Sequence, residues 1–182
     1  MKKLETDVLM ELFEKQITLN KKFNGDDWIS TIDIKNLKIA ILTEVAELCE
    51  SKPSVWKWWK LPEDDEQNAY IELVDIIHFS LSYILMNNNV DSMIKENELL
   101  DFIDFSYDIT EELSLFLCTP SLENFYGFIS SLMNFFDLSI GKVISVYNSK
   151  NELNHKRVDG GYMEGTYNKY ENDTEDNKRI KI

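Results

Sequence analysis

The sequence contains little glycine, proline, cysteine or histidine, and each shortage narrows the folds and chemistries it can support. Six glycines and three prolines in 182 residues are few turn formers, which favours long helices over a turn-rich β architecture. The two cysteines, Cys49 and Cys118, match no metal-binding spacing and suggest no disulfide framework, so we interpret them as buried free thiols. Only two histidines are present, which argues against a di-iron carboxylate bundle built on Glu-x-x-His motifs.

Positive charge is also scarce, because 19 Lys and Arg face 33 Asp and Glu, a formal net charge of −14. This balance argues against a partner that is bound by bulk charge, whether a nucleic-acid backbone or an anionic membrane. Acids stand where a signal peptide would have its apolar region, and no apolar run approaches the length of a bilayer span. With 43% apolar residues, we expect one soluble, cytoplasmic domain with a substantial core.

Two short carboxylate pairs stand inside apolar stretches of helical character, Glu44 with Glu47 and Glu72 with Asp75. A spacing of three puts both acids of a pair on one helix face, about 5–6 Å apart at Cβ. Two such helices side by side would aim four carboxylates at one point, where like charges repel and burial is costly. A divalent cation is the simplest remedy, and carboxylate oxygens favour Mg²⁺ or Mn²⁺ over zinc.

Surface salt bridges are the usual alternative for glutamates on a helix. The residues four positions after Glu44 and Glu47 are Leu48 and Ser51, so neither acid has a cation at the helical spacing that stabilises such pairs. An all-oxygen magnesium site for phosphate chemistry fits better. Such a site also needs an aromatic side chain for the base, cations for the phosphates and a closing segment.

The chain offers a candidate for each of these needs. Trp56-Lys57-Trp58-Trp59-Lys60 combines three indoles, which stack on bases, with two lysines, which attract phosphate. Lys150, Asn154 and Arg157 step by four and three and so share a helix face, although a basic last turn could merely complement the helix dipole. The Gly/Tyr-rich segment 160–167 suits a loop that closes over a ligand.

These elements together resemble the dimeric dUTP diphosphatases of the all-α nucleoside triphosphate pyrophosphatase superfamily. The resemblance spans about Gln16 to Asn177, nearly the whole chain. The matching stretches are Glu44-Val-Ala-Glu-Leu48, Trp56 to Lys60, Glu72-Leu-Val-Asp-Ile-Ile-His-Phe79, Lys150 to Tyr167, and Glu175-Asp176-Asn177. The acid pattern by itself is moderately specific, and it becomes strong when it is joined to the tryptophan segment and the tail.

The resemblance implies a helical homodimer that hydrolyses dUTP, and often dUDP, to dUMP, which removes dUTP from the nucleotide pool and supplies a precursor of dTTP. The resemblance implies Mg²⁺ as the cofactor, with Mn²⁺ as the alternative. The implied ligands are Glu44, Glu47, Glu72 and Asp75. Glu47 would also orient or deprotonate the attacking water. Trp59 would contact uracil and Lys60 would lie near the phosphates. The phosphate chain would be held by Lys150, Asn154 and Arg157, with Tyr162 and Lys169 as weaker candidates.

The first helix departs from the family pattern, which reads uracil with a Gln and an Asn. Asn20 fits, but Ile17 stands where the glutamine is expected, and Gln16 lies one residue away. The departure bears on the choice of base and not on hydrolysis. The near alternative is another pyrophosphatase of the superfamily, a dCTPase or a MazG-like enzyme. The far alternative is a non-catalytic relative that binds a nucleotide or a protein, which the four intact acids argue against.

We therefore predict an all-α bundle of about six helices, with the carboxylate site between two core helices. Within one domain, 1–182, we expect a core bundle over about 5–87 and a helical, mobile part over about 91–136. A phosphate-binding helix and closing tail would occupy about 137–182. The polar residues 171–182 are expected to fray.

Overall fold

The computed structural model describes residues 4–100, 108–171 and 173–181, and this part of the chain is predominantly helical. Eight α-helices lie in it: α1 (Thr6–Asn24), α2 (Trp28–Thr31), α3 (Ile34–Ser51), α4 (Glu66–Asn87), α5 (Val90–Leu99), α6 (Ile109–Cys118), α7 (Leu122–Phe135) and α8 (Ile140–Asp159). A two-stranded antiparallel hairpin, β1 (Tyr170–Glu171) and β2 (Thr174–Glu175), precedes a 3₁₀ turn over Asp176–Arg179. The predicted all-α class is confirmed.

Helices α3 and α4 pack antiparallel and form the centre of the bundle. Near the end of α3, the Ser51 hydroxyl accepts a hydrogen bond (2.8 Å) from Asn68 in the first turn of α4. Towards the other end of the pair, the Lys38 ammonium lies 5.4 Å from the centre of the Tyr83 ring. The acids of both pairs fall between these two contacts, so the antiparallel packing brings Glu44 opposite Glu72 and Asp75.

Helix α4 is buried on nearly all sides, since α1, α3, α7 and α8 all pack on it. Its 22 residues have a mean hydropathy of 1.4 in the most apolar window, enough by length and composition to cross a membrane, which the sequence analysis did not expect. However, 83% of that window is buried inside the fold. It therefore fits the core helix of a bundle, whose apolar surface is covered by its neighbours.

Several predicted boundaries differ from the structure. Pro62-Glu63-Asp64-Asp65 is typical of a helix N-terminus and predicts a helix from about Pro62, but α4 begins at Glu66. The Asp64 carboxylate accepts from the Ser54 N–H, and Asp65 caps the helix by accepting from the Asn68 N–H (2.9 Å).

The turn signal Asn24-Gly25-Asp26-Asp27 predicts that Trp28 lies in a connecting segment, but Trp28 opens α2 and is 3% exposed. The apolar pattern over 91–116 predicts one helical stretch, whereas the structure has α5 and α6 there, and residues 101–107 lie outside the described residues.

The C-terminal segment is packed against the bundle. The Gln67 amide nitrogen on α4 donates to the carbonyl oxygens of Lys178 (3.0 Å) and Ile180 (2.7 Å). Ile180 itself is 6% exposed and joins the apolar core. The expectation that this segment frays is therefore wrong for residues 173–181, because one apolar side chain and the amide of Gln67 anchor an otherwise polar stretch.

Candidate active site

A cavity of about 710 Å³ opens between α1, α3, α4, α8 and the tail. Eleven of the predicted site residues line it: Gln16, Asn20, Glu44, Glu47, Glu72, Asp75, Lys150, Asn154, Arg157, Tyr162 and Lys169. The acids occupy one region, the amides of α1 another, and the cations of α8 lie against the tail. The cavity therefore holds carboxylate, cationic and amide groups in one space.

Three of the four predicted acids form a tight cluster at the α3–α4 contact. One carboxylate oxygen from each of Glu44, Glu72 and Asp75 lies within 4.8 Å of the others. Glu47 lies outside this cluster, exposed on the next turn of α3, although it lines the same cavity. Its different exposure distinguishes it from the three clustered acids.

Burial and mutual repulsion make the clustered acids reluctant to ionise. Burial, followed by the charge of Asp75, raises the pKa of Glu44 to about 8 and that of Glu72 to about 7. Burial also raises the pKa of Asp75, against the opposing effect of the Lys150 ammonium. Three oxygen donors this close together suit a divalent cation. The cation's charge would offset their repulsion, and the cation would take the place of the bound protons.

A side-chain amide that the sequence analysis did not single out orients Glu72. Asn68 stands one turn before Glu72, and its Nδ2 donates to Glu72 Oε1 (2.8 Å) and to the Ser51 hydroxyl (2.8 Å). The contact with Glu72 has the i, i+4 spacing of one helix, whereas the contact with Ser51 crosses from α4 to α3 and no pattern within one helix reveals it. Hydrogen bonds to ligating carboxylates are the usual means of fixing their orientation.

The predicted phosphate-binding cations meet on one wall of the cavity, and each is already paired with an acid. Lys150, 2% exposed, places Nζ 2.6 Å from Asp75 Oδ2 and 2.9 Å from Asn177 Oδ1. Arg157 forms a two-point ion pair with Asp176, with Nη2–Oδ1 at 2.6 Å and Nε–Oδ2 at 3.0 Å. The tail therefore holds both cations in place beside the acid cluster.

The Asp176 carboxylate has a second donor besides Arg157. The Tyr167 hydroxyl, from the Gly/Tyr segment, donates to Asp176 Oδ2 at 2.9 Å. Burial would raise the pKa of Asp176, but the hydrogen bonds from Arg157 and Tyr167 outweigh it and lower that pKa. The segment predicted to close the site is thus fastened to the wall that carries the cations.

The amides of α1 lie at the other end of the cavity. Gln16 is 3% exposed and Asn20 7%, and Gln16 Nε2 donates to Asn20 Oδ1 at 3.0 Å. Ser82 on α4 bonds both amides at 3.0 Å. Phe79, three residues before Ser82 on α4, is half-buried and also lines the cavity. Helix α4 therefore supplies an aromatic ring that the sequence analysis did not assign to the site.

Trp59 and Lys60 do not line the cavity. Trp59 is 58% exposed and packs edge-to-face on Trp56 and Trp58 (ring centres 5.6 and 5.5 Å apart). Trp56 is turned towards α3, where its indole N–H donates to the Cys49 carbonyl at 2.8 Å. In a single chain, the segment Trp56 to Lys60 therefore lies outside the cavity that holds the acids. The contacts of Trp59 and Lys60 with substrate stay predictions.

A family model described as dUTPase matches residues 8–162, which include all four acids and the basic face of α8. No curated protein matches the chain. The matched range ends within the Gly/Tyr segment, before Asp176 and Asn177.

Proposed function

The chain belongs to the dimeric all-α dUTPase family and is a dUTP diphosphatase, and we propose that it converts both dUTP and dUDP to dUMP with Mg²⁺. With dUTP the water oxygen would form a new bond to the α-phosphorus, the bond from that phosphorus to the bridging oxygen would break, and the leaving group would be pyrophosphate. With dUDP the leaving group is phosphate. Mn²⁺ would replace Mg²⁺, because both prefer oxygen ligands.

The observation that carries the proposal is the oxygen cluster of Glu44, Glu72 and Asp75, whose ligand atoms lie within 4.8 Å of one another in the cavity. These residues would hold the cation, with Glu47 completing the set from the next turn of α3. When bound, the cation would supply charge against the phosphate oxygens and lower the pKa of water. The hydrogen bond from Asn68 to Glu72 Oε1 would hold that carboxylate in place for this role.

The remaining side chains would bind the nucleotide and move the proton. Glu47 would accept the proton of the attacking water, because it lines the cavity without belonging to the tight cluster. Lys150, Asn154 and Arg157 would hold the phosphate chain. Tyr162 and Lys169, whose ammonium lies 5.3 Å from the Tyr162 ring centre, would cover it from the tail.

We further propose a cytoplasmic homodimer that removes dUTP from the nucleotide pool and provides dUMP for dTTP synthesis. The dimer proposal draws on the family. Trp59 and Lys60 lie outside the cavity of their own chain. In the proposed dimer they would contact substrate either after this segment moves or in the cavity of the partner subunit.

The test is a substrate panel of dUTP, dUDP, dCTP and dTTP, each with Mg²⁺, with Mn²⁺ and with a chelator. We expect dUMP from dUTP and dUDP with either metal, and no turnover in chelator. No turnover of any nucleotide would overturn the enzymatic proposal. Equal rates for dCTP and dUTP would overturn uracil specificity and favour the broader pyrophosphatase alternative.

A further inference from the structure

The 3₁₀ turn of the tail contacts three of the cationic residues that line the cavity. The Asn177 side-chain oxygen Oδ1 accepts from both Lys150 Nζ and Arg157 Nη2, each at 2.9 Å. The Asp176 carboxylate accepts from Nε and Nη2 of Arg157, and the Asp176 backbone N–H donates to the Lys169 carbonyl oxygen at 2.9 Å. Because the like charges of Lys150 and Arg157 repel each other, their spacing depends on the acceptors that this turn holds between them.

The other end of the same turn is fastened to α4 by Gln67. Its Nε2 donates to two backbone carbonyl oxygens, those of Lys178 at 3.0 Å and Ile180 at 2.7 Å, which uses both hydrogens of the amide. The Ile180 side chain adds an apolar anchor, because it is 6% exposed and packs in the core. Neither Gln67 nor Ile180 lines the cavity. Both therefore hold the turn from outside the site.

The anchor and the acceptors are close neighbours in the chain. Asn177 directly precedes Lys178, and the Ile180 N–H donates to the Asn177 carbonyl oxygen at 3.1 Å. Hydrogen bonds of this i, i+3 kind make a short, tight turn. A shift of the two carbonyl groups that Gln67 holds would therefore also shift the Asn177 side chain, and with it the position of Lys150.

We propose that Gln67 and Ile180 are positioning residues for the phosphate chain of the substrate. By fixing the turn against α4 they determine how closely Lys150 and Arg157 converge, and so the affinity for the phosphates but not for the nucleoside. The inference rests on the proposed function, in which these cations hold the phosphate chain. It adds a control of that site by residues that do not touch the ligand.

The first experiment turns the donor of this anchor into an acceptor. Gln67→Glu keeps the size of the side chain but sets carboxylate oxygens against two carbonyl oxygens, which should release the turn. An acid in the first turn of α4 suits the helix dipole, so the helix should remain intact. The matched control is Asn124→Asp, in the first turn of α7, where Asn124 Nδ2 donates to the Thr119 carbonyl oxygen at 2.7 Å and the residue does not line the cavity.

Calorimetry with two ligands separates binding of the phosphates from binding of the nucleoside. The ligands, each with Mg²⁺, are deoxyuridine and α,β-imido-dUTP, in which nitrogen replaces the oxygen between the α- and β-phosphorus atoms. Because two hydrogen bonds of the anchor are lost, we expect Gln67→Glu to raise the Kd of α,β-imido-dUTP roughly tenfold and to leave that of deoxyuridine unchanged. Steady-state kinetics with dUTP should show a matching rise in KM with kcat nearly unchanged. Asn124→Asp should alter none of these values.

A second set of variants tests the apolar anchor. Ile180→Ala should raise the Kd of α,β-imido-dUTP, and the conservative Ile180→Val should restore most of the affinity. Leu138 is similarly buried, at 5% exposed, and does not line the cavity. Leu138→Ala should therefore lower the unfolding temperature without changing either Kd.

Hydrogen exchange measures the docking of the turn directly. The Asp176 and Ile180 amides both donate within the tail, and we expect them to exchange faster in Gln67→Glu and in Ile180→Ala than in the wild type. Unchanged exchange in both variants would show that these residues do not hold the turn and would overturn the inference.

The remaining outcomes separate the inference from the proposed function. Faster exchange with an unchanged Kd of α,β-imido-dUTP overturns the inference and leaves hydrolysis standing. An equal loss of affinity for α,β-imido-dUTP and deoxyuridine reports a general disturbance of the cavity and also overturns it. A wild-type protein without turnover, whose Gln67→Glu variant loses affinity for α,β-imido-dUTP alone, overturns the proposed activity but supports the positioning role.

Discussion

At the scale of single residues, Glu47 has the clearest expected phenotype. It is exposed and belongs to no tight cluster, so Glu47→Gln should leave the fold and the unfolding temperature unchanged. If Glu47 receives the proton of the attacking water, its loss should lower kcat by roughly 100-fold or more. Steady-state kinetics with dUTP, together with thermal unfolding, measure both effects.

The matched control for this substitution is Glu50→Gln. Glu50 lies three residues after Glu47 on α3, is also exposed, and does not line the cavity. We expect this variant to keep full activity. A Glu47→Gln enzyme as active as Glu50→Gln would contradict the assignment of Glu47 as the base.

The raised pKa values of Glu44 (about 8) and Glu72 (about 7), against an ordinary value of 4.5, predict how pH affects stability without metal. Between the ordinary pKa of 4.5 and the raised pKa of each acid, the folded state keeps a proton that the unfolded state has released. The free energy of unfolding therefore falls as pH rises through this range. A bound cation replaces the protons, so its stabilising effect should grow with pH. The other charged groups that line the same cavity are Glu47, Asp75, Lys150, Arg157, Lys169 and Glu175.

Thermal unfolding at about pH 6 and about pH 8, with chelator and with Mg²⁺, measures this linkage. We expect the rise in unfolding temperature caused by Mg²⁺ to be larger at the higher pH. Replacing Glu44 and Glu72 together with Gln should remove most of the difference. An equal Mg²⁺ effect at both pH values would show that proton release from these acids is not coupled to metal binding.

At the scale of elements, the turn that follows α8 depends on Gly161. Its φ of +90° suits glycine, and an added Cβ would lie 2.0 Å from the Thr166 hydroxyl oxygen. Gly161→Ala should therefore displace this turn and with it Tyr162 and Lys169, both of which line the cavity. We expect a higher KM for dUTP with the bundle still folded.

Gly141→Ala is the matched control, because Gly141 lies within α8 and an added Cβ there meets nothing within 4 Å. This substitution should leave KM unchanged and raise stability by up to about 1 kcal/mol, the usual gain on replacing a helical glycine with alanine. The open space also shows that Gly141 marks no close packing contact. A normal KM in Gly161→Ala would mean that the turn does not position the tail for binding.

The elements that the sequence predicted well are those with local signals. Helix α1 ends at Asn24-Gly25 and α3 ends before Pro53, as turn and breaker residues indicate. Pro62 followed by three acids is typical of a helix start, but Asp64 is hydrogen-bonded to Ser54 across the loop and α4 begins only at Glu66. Ser82 and the anchoring of Ile180 were missed because each depends on partners far away in sequence. Asn68 was missed because its i, i+4 contact with Glu72 is not distinctive until Ser51 of α3 is placed beside it. The carboxylate cluster was accessible from sequence because its spacing is local within each helix.

At the scale of the whole molecule, the exposed apolar side chains favour association. Ile39 (60% exposed) and Leu42 (46%) lie on the outer side of α3, and Trp58 (90%) and Leu61 (101%) lie in the loop beyond it. Because large apolar side chains gain free energy when they leave water, we expect this side of the molecule to form the dimer contact. Sedimentation equilibrium should give twice the 21.4 kDa chain mass.

Leu42→Lys tests this contact against Leu115→Lys, since both leucines are 46% exposed but Leu115 lies on α6. We expect the first variant to sediment as a monomer at micromolar concentration and the second to remain dimeric. Each protomer carries a net charge of −14, so added salt should strengthen the wild-type dimer by screening the repulsion. A wild-type monomer would contradict dimerisation, whereas a dimer that both variants preserve would place the contact on another face.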